Sequence, residues 1–275
     1  MSNQTNPHFI PPMSLIDTID IYLETQLLKN ALQKQHNFLN QVHDVLADTG
    51  ADIRYHDQKT APLVTNEFSL SYMVGPIGQN CAIFRRAYHY PYWYIDTEEE
   101  RWQWRVAQDH FDPSALNIEH AQTFADRNRA RLFPGIVGTD EGFILIPLQG
   151  KLDIRRSFQI CTPIEMIEHA AQAFPSRRIY ISPHPKEAYT DTEASALRAV
   201  VDKYDHVNIA TKGANDLMPQ CHAIVTQNSS VAVSGYLFEK PAVLFGKTDV
   251  HHIALRPDLE NPTDLPQAIK AHHVN

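Results

Sequence analysis

From residue 143 to residue 245 the chain alternates short apolar runs with amphipathic stretches, and this alternation constrains the fold more than any other feature. The runs FILIPL (143–148), RIYIS (178–182), HVNIA (206–210), AIVT (223–226) and AVLF (242–245) each read as a strand. Between them, 163–174, 192–204, 214–220 and 229–238 read as helices. Short, mostly apolar strands separated by helices build βαβ units and a parallel sheet covered on both faces. The crossovers of such a sheet are right-handed as a rule.

The rhythm starts after PG (134–135) and the cluster GTDEG (138–142), which sets the expected domain boundary: 1–138 and 139–275. The first half is less regular. Leu15, Ile19, Leu23, Leu27, Leu28, Leu32, Leu39, Val42 and Leu46 lie near helical spacing and predict a helix or helical pair over 14–46, with His36 and His43 on its surface. FSLSYMV (68–74) and CAIFRR (81–86) read as strands, followed by the aromatic run YHYPYWY (88–94). Thr97 and Glu100 have capping-box spacing and predict a helix over 98–110; a further helix is expected over 117–131.

Charge and cysteine usage exclude several classes. The net charge is -8 and no run of five Lys or Arg occurs, so a nucleic-acid partner, which needs a basic face for the phosphates, is not expected. Cys81, Cys161 and Cys221 form no CxxC and no zinc spacing, which suits a reducing compartment. The opening MSNQTNPHFIPP lacks the basic and apolar regions of a signal peptide, and no apolar stretch reaches the ~20 residues of a membrane helix. A cytoplasmic protein is the expectation. The pairs His251-His252 and His272-His273 invite a metal, but adjacent side chains diverge and no HxxxH accompanies them. Neither metal nor cofactor is expected.

In an open parallel sheet, ligands bind beyond the carboxyl ends of the strands. The unusual polar residues stand there: Gln149, Gly150 and Lys151; Pro183, His184, Pro185, Lys186 and Glu187; Thr211 and Lys212; Gln227, Asn228, Ser229 and Ser230. Asn228, Ser229 and Ser230 open a helix, where free backbone N–H groups and hydroxyls suit an anion; a plain N-cap role for Ser229 is the alternative. His184 is held between two prolines, which fixes its backbone.

The motifs SPHPKE (182–187), QNSSV (227–231) and KPAVLFG (240–246) together resemble the donor half of bacterial capsule-polysaccharide Kdo transferases. They are also similar to the wider group of bacterial sialyltransferases that use CMP-activated sugars. The resemblance implies an α/β, GT-B-like protein with a C-terminal parallel Rossmann-type donor half and a smaller N-terminal half. It places His184 and Pro185 at the nucleotide and Ser229 and Ser230 at its phosphate. The pattern departs at Ser234, six positions before Lys240, where the family usually has an acidic residue, and at Gly235 in place of Ala.

The implied activity is transfer of Kdo or a related acid sugar from a CMP donor to a saccharide acceptor in surface-polysaccharide synthesis. The expected nucleotide set is Gln149, His184, Pro185, Lys212, Gln227, Asn228, Ser229 and Ser230, with Lys151 nearby. His184 also assists phosphate departure in this reading. Glycosyl transfer needs a carboxylate or histidine as base or nucleophile. Asp96, between the aromatic run and a helix start, is the catalytic candidate; helix capping is its ordinary alternative. Trp93, Trp102 and Trp104 read as core residues or as a stacking surface for a sugar. Two other functions stay open: a non-catalytic nucleotide or glycan binder on the same scaffold, and a sugar-nucleotide epimerase or hydrolase.

Overall fold

A computed structural model describes residues 17–75, 78–257 and 264–271. The chain divides into two compact units, Met1–Arg105 and Val106–Asn275.

The N-terminal unit contains β1 (Thr18–Leu23), α1 (Thr25–Leu32), α2 (Asn37–Ala47), β2 (Asp52–Asp57), β3 (Phe68–Tyr72), β4 (Cys81–Arg86) and β5 (Trp93–Asp96). Its sheet runs β2-β1-β3-β4-β5, parallel through β4, with β5 antiparallel at the edge. The helix expected over 14–46 is thus replaced at its start by a strand. Ile19, Ile21 and Leu23 alternate onto one face and pack with Leu27, Leu39 and Phe84, while Asp20 and Tyr22 take the other. Ile19 and Leu23 are four apart, a spacing that strand and helix periods share, so they did not discriminate. Residues 14–16 lie outside the described residues, as does the pair His272-His273.

The helix expected over 98–110 is also broken. A 3-10 turn (Arg101–Gln103) and the short α3 (Arg105–Gln108) replace it, and Glu100 stands at the N-cap with no side-chain cap. Trp104 is buried, and its Nε1 donates to Glu98 O at 2.7 Å, which folds the segment back on itself.

The C-terminal unit continues with α4 (Ile118–Leu132), β6 (Ile144–Pro147), α5 (Pro163–Ala173), β7 (Ile179–Ser182), α6 (Asp191–Lys203) and β8 (Val207–Ile209). It ends with α7 (Ala214–Leu217), β9 (Ala223–Thr226), α8 (Ser230–Tyr236), β10 (Ala242–Leu244) and α9 (Leu265–Ala271). The sheet order is β10-β9-β6-β7-β8, all parallel, as the alternating pattern required. Both sheets are therefore of the α/β class, and the C-terminal one has the Rossmann arrangement. Ile144 and Ile146 pack with Met166, Ile167 and Ala170 of α5 on one face. Phe143 and Leu145 pack with Leu217, Ala232 and Phe238 on the other. Each such side chain contributes about 1.5–3 kcal/mol on burial.

The compact units divide at Arg105, whereas the sequence places a boundary at 138. Helix α4 belongs to the C-terminal unit because Arg129 Nη1 donates to Leu237 O at 3.2 Å and the rings of Phe133 and Phe238 meet edge-on at 5.2 Å. The glycine-rich 138–142 stretch is a turn inside that unit: Lys240 Nζ donates to Thr139 O at 2.6 Å, and Thr139 N to Pro219 O at 2.9 Å.

Glu193 is buried in the first turn of α6 and has no cationic partner among the described residues. Its carboxylate instead accepts the N–H of Thr190, in a capping box, and the N–H of Leu152 at 2.8 Å, which ties the connection after β6 to α6. These backbone donors favour the charged form and lower its pKa below the ordinary 4.5. A depressed folded value means the stabilisation is complete above the unfolded value and is lost as pH falls through the folded one. Glu193→Gln should therefore cost about 1.5–3 kcal/mol at pH 7 in urea unfolding. The gap from wild type should close on acidification; a gap independent of pH contradicts this account.

Candidate functional site

Because every strand of the C-terminal sheet is parallel, the loops leaving β6, β7, β8 and β9 share one edge. Strand order reverses between β6 and β9, the position where open α/β sheets hold their ligands. A shallow crevice lies there, lined by Pro147, Leu148, Gln149, Pro163, Met166, Thr226 and Gln227. Thr226 Oγ1 donates to Pro147 O at 3.2 Å and so ties the two strand ends together.

The β6–α5 connection, 148–162, roofs this region. It crosses to β10: Ile160 N donates to Phe245 O at 2.9 Å, and Lys247 N to Phe158 O at 2.7 Å. Gln159 bridges to Gly246, and a Cβ on Gly246 would stand only 2.8 Å from Gln227 O. Only glycine lets β10 pass this close to the end of β9.

Gln227 is 4% exposed, and its Nε2 donates to Cys161 O at 3.1 Å. Its Oε1 is enclosed and accepts no hydrogen bond; Gln159 Nε2 and Arg156 Nε are likewise enclosed without partners. Buried polar atoms are rarely left so, and these three lie on the β6–α5 connection and at the end of β9.

His184 is exposed beyond β7. Its N–H donates to Tyr189 Oη at 2.8 Å, and its Nδ1 accepts the N–H of Lys186 at 3.2 Å. With Nδ1 committed as acceptor, the neutral ring carries its proton on Nε2, which can donate to a ligand oxygen. Pro185 holds the turn, and the loop returns Glu187 against Gly150, where any side chain would collide with its carboxyl group.

At the end of β9, Asn228 and Ser229 are half-buried and Ser230 is exposed. Ser229 Oγ accepts from Val231 N at 3.3 Å, so it caps α8 whatever else it does. Lys151 and Lys212 are exposed. The sheet order separates Lys212 from Ser229 by three inter-strand spacings, roughly 14 Å, so both reach one ligand only if it runs along the edge. Ser234 is buried within α8, and a side chain on Gly235 would collide with Ile224.

Asp96 lies at the end of β5 in the other unit. Its Oδ1 accepts from Thr97 N at 2.8 Å and Glu98 N at 3.2 Å, and its Oδ2 from Arg105 N at 2.9 Å. Both oxygens thus organise the turn after β5. In the same unit, a pair that the sequence did not suggest is formed by His56 Nε2 and Asp20 Oδ1 at 2.7 Å, with the His56 ring stacked on Tyr22. Neighbouring β1 and β2 bring them together; His36 and His43 are half-buried instead of on the surface, and His36 Nδ1 caps α2. Trp93 stacks on Phe38 at 4.7 Å and Trp104 is buried, both core roles.

His251 Nδ1 lies 2.7 Å from Thr248 O, and His252 Nε2 lies 2.9 Å from Ala107 O, so both rings are held by backbone carbonyls. No group of three metal-ligating residues occurs among the described residues. Burial pushes the Cys161 and Cys221 thiols up to about 12, so neither is a nucleophile. No helix among the described residues is long and apolar enough to cross a membrane.

No family model matches the chain, and no curated protein matches it. Among solved structures, it is similar to the beta Kdo 2,7 transferase KpsC of Thermosulfurimonas dismutans, with 13% identity, 85% of this chain and 80% of that one covered, and a TM-score of 0.49. It is also similar to the UDP-GlcNAc 2-epimerase of Neisseria meningitidis bound to UDP-GlcNAc, with 13% identity, 92% and 91% covered, and a TM-score of 0.36. At these levels neither likeness argues for an activity.

Gly246→Ala tests the geometry of this edge. Gln227 O is backbone and cannot swing away, so the change should lower stability by about 1–3 kcal/mol. Urea unfolding measures it; an unchanged midpoint means that β9 and β10 do not approach as described.

Proposed function

We propose that the carboxyl edge of the C-terminal sheet binds a nucleotide-activated sugar, and that the protein is a glycosyltransferase using a CMP-linked acid sugar such as Kdo. The observation that carries the binding reading is the unpartnered, buried Oε1 of Gln227 at the crevice where strand order reverses. When the crevice opens to admit a ligand, this carbonyl suits a donor such as an amino or hydroxyl group of a nucleoside. His184 Nε2–H and the Ser229-Ser230 turn supply donors for oxyanions on either side. The donor's identity rests on the resemblance of SPHPKE, QNSSV and KPAVLFG to CMP-sugar enzymes.

In this reading Gln149, Gln227 and Asn228 hold the nucleoside; His184, Pro185, Ser229 and Ser230 hold the phosphate, with Lys212 at the far end of the edge. His184 can donate a proton-bearing contact to the departing phosphate, which lowers the barrier as negative charge builds on it. Asp96 is the acid–base candidate, and the Asp20-oriented His56 is a second. The acceptor is a saccharide, and the setting is cytoplasmic synthesis of a surface polysaccharide.

A thermal-shift panel tests the binding reading. CMP or CTP should stabilise the protein more than UDP or GDP; at 100 times Kd the gain is ~2.7 kcal/mol. Gln227→Leu, or Ser229→Ala with Ser230→Ala, should weaken CMP at least tenfold. A response to UDP and none to CMP would defeat the CMP reading. Product analysis with a CMP-sugar then separates transfer from hydrolysis, epimerisation and mere binding.

The catalytic candidates separate by a different pair of measurements. If Asp96 acts only through the three backbone N–H groups it accepts, Asp96→Asn should lower the melting temperature and leave the transfer rate intact. A catalytic Asp96 instead shows near-normal melting with transfer down a hundredfold or more, and His56→Gln is the same test for the alternative.

A further inference from the structure

The β6–α5 connection holds a guanidinium that forms no ion pair among the described residues. Arg156 is half-buried, its Cζ 4.7 Å from the centroid of the Phe158 ring. Among the described residues, its one hydrogen bond from the side chain is a long one, Nη2 to Gln149 Oε1 at 3.4 Å, and its enclosed Nε meets no acceptor. A guanidinium has five N–H donors in a rigid fork; here Nε is enclosed while the Nη groups stay open to solvent, free to exchange water for a ligand oxygen. Among the described residues no carboxylate forms an ion pair with it. Glu187, on the loop after β7, acts on it only through space, while burial pulls its pKa down.

The backbone beneath this head group is fixed. Arg156 N donates to Gln159 Oε1 at 2.7 Å, and Arg155 Nε donates to Gln159 O at 3.1 Å. Gln159 is in turn anchored by its bridge to Gly246. A cation partly withdrawn from water with no partner destabilises the fold, yet replacing it with an apolar side chain of similar size is often neutral or stabilising. Its pinned backbone, idle donors and position beside Gln149 of the crevice describe a preorganised group whose partner is an incoming anion.

We propose that Arg156 is the oxyanion anchor of this sheet edge, its guanidinium taking the oxygens of a ligand phosphate or carboxylate beside Gln149. The ligand's class rests on the function proposed above; the anion site itself does not. The shared chemistry is an oxyanion held by a planar fork, and it has two sources in a CMP-linked acid sugar: the nucleotide phosphate and the sugar carboxylate.

The test uses the full chain, Arg156→Met and Arg156→Gln, with inorganic phosphate, CMP, cytidine and free Kdo as probes in thermal shift and titration calorimetry. Without ligand, Arg156→Met should melt at or above wild type, because an unpaired cation has been removed. Phosphate should raise the wild-type melting temperature and not that of either variant. CMP binding should fall tenfold or more in both variants, while cytidine, which lacks the phosphate, binds as before. A response to Kdo lost in the variants, with phosphate inert, assigns the anchor to the carboxylate. Should Arg156→Met fail to fold, Arg156→Gln must still lose the anion response. If phosphate and Kdo act on the variants as on wild type, the anchor is overturned. If CMP binds wild type and variants alike and Kdo also acts on them alike, the anchor falls and the nucleotide reading stands. If phosphate acts through Arg156 while no nucleotide outperforms it, the anchor stands and the nucleotide reading falls.

Discussion

Burial of β6 on both faces is the constraint on which the sheet edge depends. Ile144 and Ile146 are inserted between α5 and the sheet, and Leu145 between the sheet and the elements around α7 and α8. A slip of one residue would exchange these faces and set each side chain against packing shaped for another, so the register is specified by the fit on both sides. Pro147 is thereby held opposite Ser182, and Leu145 opposite Ile224. The residues that leave β6, β7 and β9 inherit these fixed heights. Gln149, His184 and Gln227 are positioned by apolar packing several residues away from them.

Against that rigid base, the polar layer above is only partly satisfied. Glu193 meets backbone donors at every turn and stabilises the connection it holds. Gln227, Gln159 and Arg156 each keep one enclosed atom without a partner. Unmet hydrogen-bonding capacity is unfavourable until something fills it, which is why the proposed ligand site is placed at these atoms and not at Glu193. Such sites commonly trade stability for function.

The C-terminal strands were legible because burial on both faces leaves an unbroken apolar run, as in AIVT (223–226), which matches β9 to the residue. The site edge followed from the same reading, since parallel strands put their carboxyl ends together. The N-terminal sheet was harder to see. β2 has the sequence DIRYHD, and half of its residues face away from the core, so it carries no apolar signature. β1 shares its spacing with a helix, and α4, more polar than apolar, gave no sign of which unit it joins. Arg156 and Gln159 lie in a connection without periodicity; its length, unusual for a βα loop, was the one available signal. The Asp20–His56 pair depends on which strands neighbour each other, which local pattern does not encode.

Hydrogen–deuterium exchange with and without a CMP-sugar tests the central claim most directly, because it reports where on the chain a ligand acts. The account predicts that protection rises in 148–162, around His184, and in 227–230, the segments gathered at the carboxyl edge of the C-terminal sheet. Protection confined to other segments, or an unchanged pattern at saturating CMP-sugar, would contradict it.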